Sequence, residues 1–151
     1  MPTTSMDVTR VSKTINAPPK YVYEWCTDFR EDDGKITGSK SQRKILEKTK
    51  KRVIYVQTYK GADGEQKVAV NIVTLRPPNS WHLDYFGEED DETGDYVVKS
   101  LGKDKAKLDM VFKEKWKDMA KIPSIEEQTK QTNKVWDKYV EALEKDYSEK
   151  T

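Results

Sequence analysis

Apolar and polar positions alternate along residues 8–15: Val11, Lys13 and Ile15 fall on one face, and Val8, Arg10, Ser12 and Thr14 on the other. A period of two predicts a strand. Asn16-Ala17-Pro18-Pro19 interrupts it, and paired prolines suit the first turn of a helix. Val22, Trp25, Cys26 and Phe29 then recur at i, i+3, i+4 and i+7, one apolar helical stripe. Residues 30–42 are polar and glycine-punctuated, which predicts a loop with room for a second short helix near Glu31.

The next stretch is rich in Val and Ile, which favours strands. Segments 44–48 and 52–59 read as two strands about a lysine-rich turn, and Gly61-Ala62-Asp63-Gly64 as a hairpin turn. Val68, Val70, Ile72 and Thr74 alternate with Ala69, Asn71 and Val73 in the next strand, which Pro77-Pro78-Asn79-Ser80 ends. Segment 81–86 is a strand, 87–94 an acidic loop, 96–101 a strand and 102–104 a turn. Ala106, Leu108, Met110 and Phe112 alternate with Lys107, Asp109, Val111 and Lys113 in the clearest apolar-in, polar-out pattern of the chain.

A long helix closes the chain. Ser124 followed by Glu127, just after Pro123, is the signature of a capping box, and Glu126 and Glu127 complement the positive end of the helix dipole. Ile125, Thr129, Thr132, Trp136, Tyr139, Val140, Leu143 and Tyr147 form one stripe. A helix over 125–147 is roughly 35 Å long at 1.5 Å per residue. The order is strand, one or two short helices, six strands, long helix: an α+β domain with an antiparallel meander, whose last helix must bury its stripe on one face of the sheet. That stripe (Trp136, Tyr139, Val140, Leu143) is expected to face Leu108, Met110 and Phe112.

The element order resembles that of the SRPBCC superfamily, also called START-like or birch-pollen-allergen-like. So does the phrase Ile15-Asn16-Ala17-Pro18-Pro19-Lys20-Tyr21-Val22-Tyr23-Glu24-Trp25 with Thr27-Asp28 after it, and Leu75-Arg76-Pro77-Pro78 before the Trp81 strand. The resemblance spans nearly the whole chain and carries no catalytic motif. It implies a helix-grip fold, a strongly curved seven-stranded antiparallel sheet wrapped around a long C-terminal helix, with a cavity between them. Members bind lipids, sterols, hormones or polyketides; some are polyketide cyclases or dehydrases, and some are co-chaperone activators, so the fold does not fix the function.

Length and composition agree with one domain over 1–151, its ordered core about 7–147. Charged residues make up 36% and hydrophobic ones 34%, but a net charge of +1 with four Trp and eight Tyr argues for a folded core. Twenty-eight basic residues offset by 27 acidic ones argue against nucleic acid as a partner. The cluster Lys40, Arg43, Lys44, Lys48, Lys50, Lys51 and Arg52 has no aromatic between its charges and only Tyr55 after it, and reads as a charged hairpin that resists edge pairing. A single cysteine, Cys26, allows no internal disulfide; no apolar run is long enough for a membrane span; the expected location is cytoplasmic, without membrane insertion.

The chemistry on offer is limited, and no catalytic residue, metal ligand or cofactor is expected. His82 and Asp84 share a strand face, the start of a general base, but Trp81, Leu83 and Tyr85 on the opposite face are the better inward set. Cys26, in an apolar stripe, reads as a buried thiol. The acidic stretches 31–34 and 88–94 lack the end carboxylates of a calcium loop. Glu114 and Trp116 continue the inward face beyond Phe112; either Glu114 is a buried polar anchor or acid, or the strand has left the interior and it meets a surface lysine.

With the resemblance, these readings point to binding of a small apolar or amphipathic molecule. From the sheet the expected lining is Val70, Ile72, Leu83, Tyr85, Tyr96 and Val98, then Leu108, Met110, Phe112 and Glu114. From the helix it is Trp136, Tyr139 and Val140. The alternatives are a cyclase- or dehydratase-like enzyme on a polyketide-type substrate, which needs two ionisable groups converging in the cavity, and a co-chaperone-like module, which needs an exposed apolar patch outside it. By the family's topology the mouth lies among 34–42, 61–65, 87–94 and 118–123, with Glu88, Glu89, Asp90, Asp91 and Glu92 at its rim, where clustered carboxylates favour neutral or cationic ligands.

Overall fold

The computed structural model describes residues 7–38, 40–61, 63–117 and 123–150. Strand β1 (Asp7–Ile15) leads into helix α1 (Pro19–Thr27) and a short 3-10 helix (Asp33–Thr37). Six strands follow: β2 (Gln42–Lys48), β3 (Arg52–Lys60), β4 (Gln66–Arg76), β5 (Ser80–Gly87), β6 (Asp90–Gly102) and β7 (Lys105–Trp116). Helix α2 (Ile125–Lys150) ends the chain. The strands form one antiparallel sheet in the order β1-β7-β6-β5-β4-β3-β2, so only β1 leaves the meander, to pair with β7. The expected α+β helix-grip architecture is the observed one.

Two segments depart from the sequence expectation. The acidic loop over 87–94 is mostly strand: β6 starts at Asp90, which pairs with β7, and Asp91 to Gly94 pair with both β5 and β7. Ladder hydrogen bonds on two sides outweigh the poor strand propensity of Asp, Glu and Gly. Helix α2 runs three residues beyond the expected end, to Lys150.

Local chemistry sets the helix starts. Pro18 is extended and Pro19 occupies the first turn of α1, where its missing N–H is no loss. At α2 the Ser124 hydroxyl accepts from the Glu127 N–H at 3.1 Å.

The core sits between the concave face of the sheet and the two helices. Ala106, Leu108, Met110 and Phe112 on β7 are buried, as are Val11 and Ile15 on β1, Val22 and Tyr23 on α1, and Leu143 on α2. The clearest apolar strand and the clearest apolar helix stripe thus contribute to one buried core, in which α2 lies chiefly along β1. Polar links add to the docking of α2. Lys13 pairs with Asp137 at 2.7 Å, the Asn16 N–H donates to Glu144 at 2.7 Å, and the Trp25 indole donates to Asp146 at 2.9 Å.

Candidate functional site

The stripe of α2 changes character along its length, and this decides where space remains. Val140, Leu143 and Tyr147 pack into the core from the C-terminal half. Gln128, Gln131 and Thr132, shorter or polar, occupy the N-terminal half and leave room beneath it.

A cavity of about 320 Å³ lies there. Its walls are Trp25, Cys26 and Phe29 from α1, Ile36 from the 3-10 helix, and Tyr55, Val73, Trp81, Leu83, Tyr96 and Phe112 from the sheet. Trp136 and Tyr139 close it from α2. Trp81 and Tyr96 stack at 4.7 Å with their planes 9° apart, and Phe112 and Trp136 abut Tyr96 at 5.5 and 5.9 Å. Each such pair is worth about 0.5–1.5 kcal/mol beyond area burial, which stiffens this wall. A second space of about 670 Å³ adjoins it toward the start of α2, sharing Glu92, Phe112, Gln131 and Thr132 and adding Thr9, Glu114 and Trp116.

Polar groups in the walls are few and specific. Glu92 and Glu114 are cross-strand partners on the inner face, and Asp90 joins them so that oxygens of all three carboxylates lie within 4.8 Å of one another. Burial, followed by the neighbouring Asp90 charge, raises Glu92 above the ordinary carboxylate range. Burial, a hydrogen bond with Asp90 and the charges of Glu92 and Asp90 raise Glu114 further. Three carboxylates at this spacing suit a hard cation or a shared proton. The raised affinity of Glu114 for a proton, and its hydrogen bonds to Glu92 and Asp90, favour the proton. Sequence pattern marked Glu114 but read Asp90 and Glu92 as rim loop; their convergence depends on the β6–β7 register.

At the opposite wall Arg43 and Asp33 pair at 2.7 Å, both largely buried, with the guanidinium 4.3 Å from the Tyr55 ring centre and 5.8 Å from that of Phe29. Arg43 is thus a correction to the basic cluster: it points inward while Lys44 points out. The signal was its phase, two residues before the half-buried Ile45. Burial pushes the Tyr55 hydroxyl up to about 12 and raises Tyr139. Cys26 lines the cavity, and burial pushes its thiol up to about 12, which makes it a poor nucleophile.

Of the expected lining residues, the structure places Leu83, Tyr96, Phe112, Trp136 and Tyr139 in the cavity wall and Glu114 in the adjoining space. Val98, Leu108, Met110 and Val140 belong to the packed core. Tyr85 is on the inner face but lies against Gly87. Val70 and Ile72 stand on the outer face and need correcting. Strand β4 is apolar on both faces, so alternation fixed its period but not its phase; Asn71 and Val73 are the buried set. His82 is on the outer face as expected, held by Asp84 at 3.0 Å and by Asp95 at 2.7 Å. Of the expected mouth, residues 118–122 lie outside the described residues.

A curved antiparallel sheet closed on an interior cavity by a C-terminal helix defines the START-like, helix-grip class of fold. Among solved structures, the Zhui aromatase/cyclase from Streptomyces sp. R1128 is similar with a TM-score of 0.72 and 13% identity, over 95% of this chain and 94% of that one. A START superfamily protein from Mycobacterium smegmatis is similar with a TM-score of 0.71 and 14% identity, over 97% of this chain and 100% of that one. Ara h 8.0201 gives 0.70 and 11%, over 92% and 98%. At such identities the likeness is one of fold. No protein-family model matches the sequence, and no curated protein matches it. No helix among the described residues is long and apolar enough to cross a membrane.

Proposed function

We propose that the chain binds a small apolar or amphipathic molecule between the sheet and α2. The observation that carries this reading is the aromatic-walled cavity of about 320 Å³, which adjoins a more polar space lined by carboxylates. Ring faces supply apolar contact area, and the Tyr55 and Tyr139 hydroxyls and the Arg43–Asp33 pair offer orienting contacts. The acidic side of the site, Glu92 and Glu114, favours a neutral or cationic polar end over an anionic one. The decisive measurement is native mass spectrometry of protein purified without harsh solvents, paired with titration of an apolar fluorescent dye. A retained adduct or a saturable dye response is expected; apo mass together with no response overturns the reading. Matched fatty acid and fatty amine probes at low salt test the charge preference, and stronger binding of the acid defeats it.

A second reading, acid/base chemistry of the cyclase or dehydratase kind on a polyketide-type substrate, is favoured by the convergence of Glu92 and Glu114 on the cavity wall. A protonated Glu114 beside an ionised Glu92 is a donor next to an acceptor. Turnover of a poly-β-ketone analogue that is lost in Glu114→Gln, with dye binding retained, supports this reading; equal turnover by the variant removes it.

A further inference from the structure

Phe29 is the last side chain after α1 that packs against the core. Beyond it, the backbone hydrogen bonds of residues 30–38 are local: the Asp33 N–H to the Arg30 carbonyl, Lys35 to Asp32 and Gly38 to Lys35. None of these residues is fully buried. Among the described residues, side chains make their ties to the body. The Arg43 guanidinium pairs with Asp33 at 2.7 Å and donates to the Arg30 carbonyl at 3.2 Å. The Glu31 carboxylate accepts from the Ile45 N–H at 3.4 Å, and Lys138 on α2 donates to the Thr37 carbonyl at 3.3 Å. The segment is also undercut. Asp33 and Ile36 border the aromatic cavity, while Gly34 and Thr37 border a polar recess of about 140 Å³ that reaches Arg43, Gln57 and Tyr139. Ile36, its one large apolar side chain, thus faces space and not the packed core. Few buried apolar contacts and no ladder bonds make a segment of low local stability.

We infer that residues 30–38 form a flap over the aromatic cavity, latched by the Arg43–Asp33 pair, and that a molecule enters or leaves beneath the 3-10 helix when the flap swings out. The hinges are the chain after Phe29 and Gly38. Gly38 has φ +71° and nothing within 4 Å of where a Cβ would stand, so it can turn freely. Opening strands no charge. Arg43 belongs to β2 and stays with the sheet, its guanidinium 4.3 Å from the Tyr55 ring centre. Asp33 keeps Arg30, at 3.5 Å within the flap itself. The sheltered, charge-assisted Arg43–Asp33 bond is the stronger tie. The exposed Lys138 is the weaker one, on a carbonyl at the end of the 3-10 helix that has no helical partner.

Cys26, the one cysteine of the chain, lines the same cavity and reports on access to it. Labelling of the full chain by N-ethylmaleimide, a neutral reagent, is followed by mass. The folded chain is expected to label far more slowly than the chain in denaturant, with a rate nearly independent of urea below the unfolding transition, because a short flap exposes little surface. Asp33→Asn should speed labelling at least about fivefold and Lys138→Ala about twofold. Circular dichroism checks that both are folded; Lys138→Ala carries the test if Asp33→Asn is not. Labelling at the rate of the unfolded chain means that the cavity stands open, and overturns the inference. A rate that tracks global unfolding in urea overturns it as well. Rates unchanged in the folded variants put the entrance elsewhere and overturn it too. The thiol readout uses no ligand, so failure of the binding reading and failure of the flap are separate results.

Discussion

Glu92 and Glu114 oppose each other across the β6–β7 ladder, on the face of the sheet that looks toward α2. Two carboxyl groups in such contact share a proton more readily than they share negative charge.

The first prediction follows from that pair. Both groups have raised proton affinity in the fold, Glu114 most, with burial as the leading cause. Between the ordinary carboxylate range, about 4.3, and the raised folded values, the folded chain holds more protons than the unfolded one. Stability from this pair is thus greatest at low pH and is lost as pH rises through neutrality. Glu114→Gln keeps a hydrogen-bond donor and removes the charge. It is expected to raise stability at pH 8 by about 1–2 kcal/mol, or ~3–6 °C in Tm, with little effect near pH 4.5. Thermal melts of both proteins across that range check it; parallel curves would refute the assignment.

His82 carries a second pH dependence on the opposite face of the sheet. Burial lowers its affinity for a proton, but its hydrogen bonds to Asp95 and Asp84 outweigh this, so its pKa is raised above 6.5. Its contribution is fully present below the unfolded value and is lost as pH rises through the folded one. The aspartates are well exposed, so the effect on stability stays below about 1 kcal/mol. An NMR titration of the imidazole is expected to give a midpoint above the unperturbed value, moved down by Asp95→Asn. A midpoint at or below 6.5 contradicts the two-aspartate clamp.

Leu143 is the fully buried anchor of α2, 1% exposed in the same core as Leu108 and Met110. Leu143→Ala removes apolar surface and leaves a void, at a cost of about 2–5 kcal/mol. Chemical denaturation should show the loss as a lower midpoint at constant slope. A cost under about 0.5 kcal/mol would mean that α2 is not seated on this core.

Gly94 stands between Glu92 and Tyr96 on the inner face, and a Cβ there would lie 2.9 Å from Tyr96 Cε2 and 3.2 Å from Phe112 Cδ1. Gly94→Ala must displace the ring that stacks on Trp81. A stability loss of about 1–3 kcal/mol is expected, with a changed tryptophan emission spectrum and weaker dye binding. Unchanged emission with full dye affinity would show that Tyr96 does not form that wall.

How much of this was legible in advance varies by element. Strand β7 and helix α2 were plain because each has one apolar face and one polar face, so period and phase come together. The inward set Trp81, Leu83 and Tyr85 was equally readable. Strand β4 was not: Val68, Val70 and Ile72 are as apolar as Ala69 and Val73, and only pairing with β3 and β5 decides which set is buried. Asp90–Gly94 looked like loop because its residues are poor strand formers. Strands on both sides, not its own propensity, hold it extended.

Residue order by itself determined the succession of elements, the helix starts at Pro19 and Ser124, and the apolar stripe that makes α2 close the sheet. Those features rest on local sterics, capping and periodicity, which act within a few residues. Tertiary structure alone decided the chemistry. Glu92 and Glu114 are 22 positions apart, His82 and Asp95 are 13, and Arg43 and Asp33 are 10. Ladder register set the first two meetings, and the fold of the segment between α1 and β2 set the third. A carboxylate's burial and its neighbours' charges, which fix what it does, are properties of that register and not of the residue.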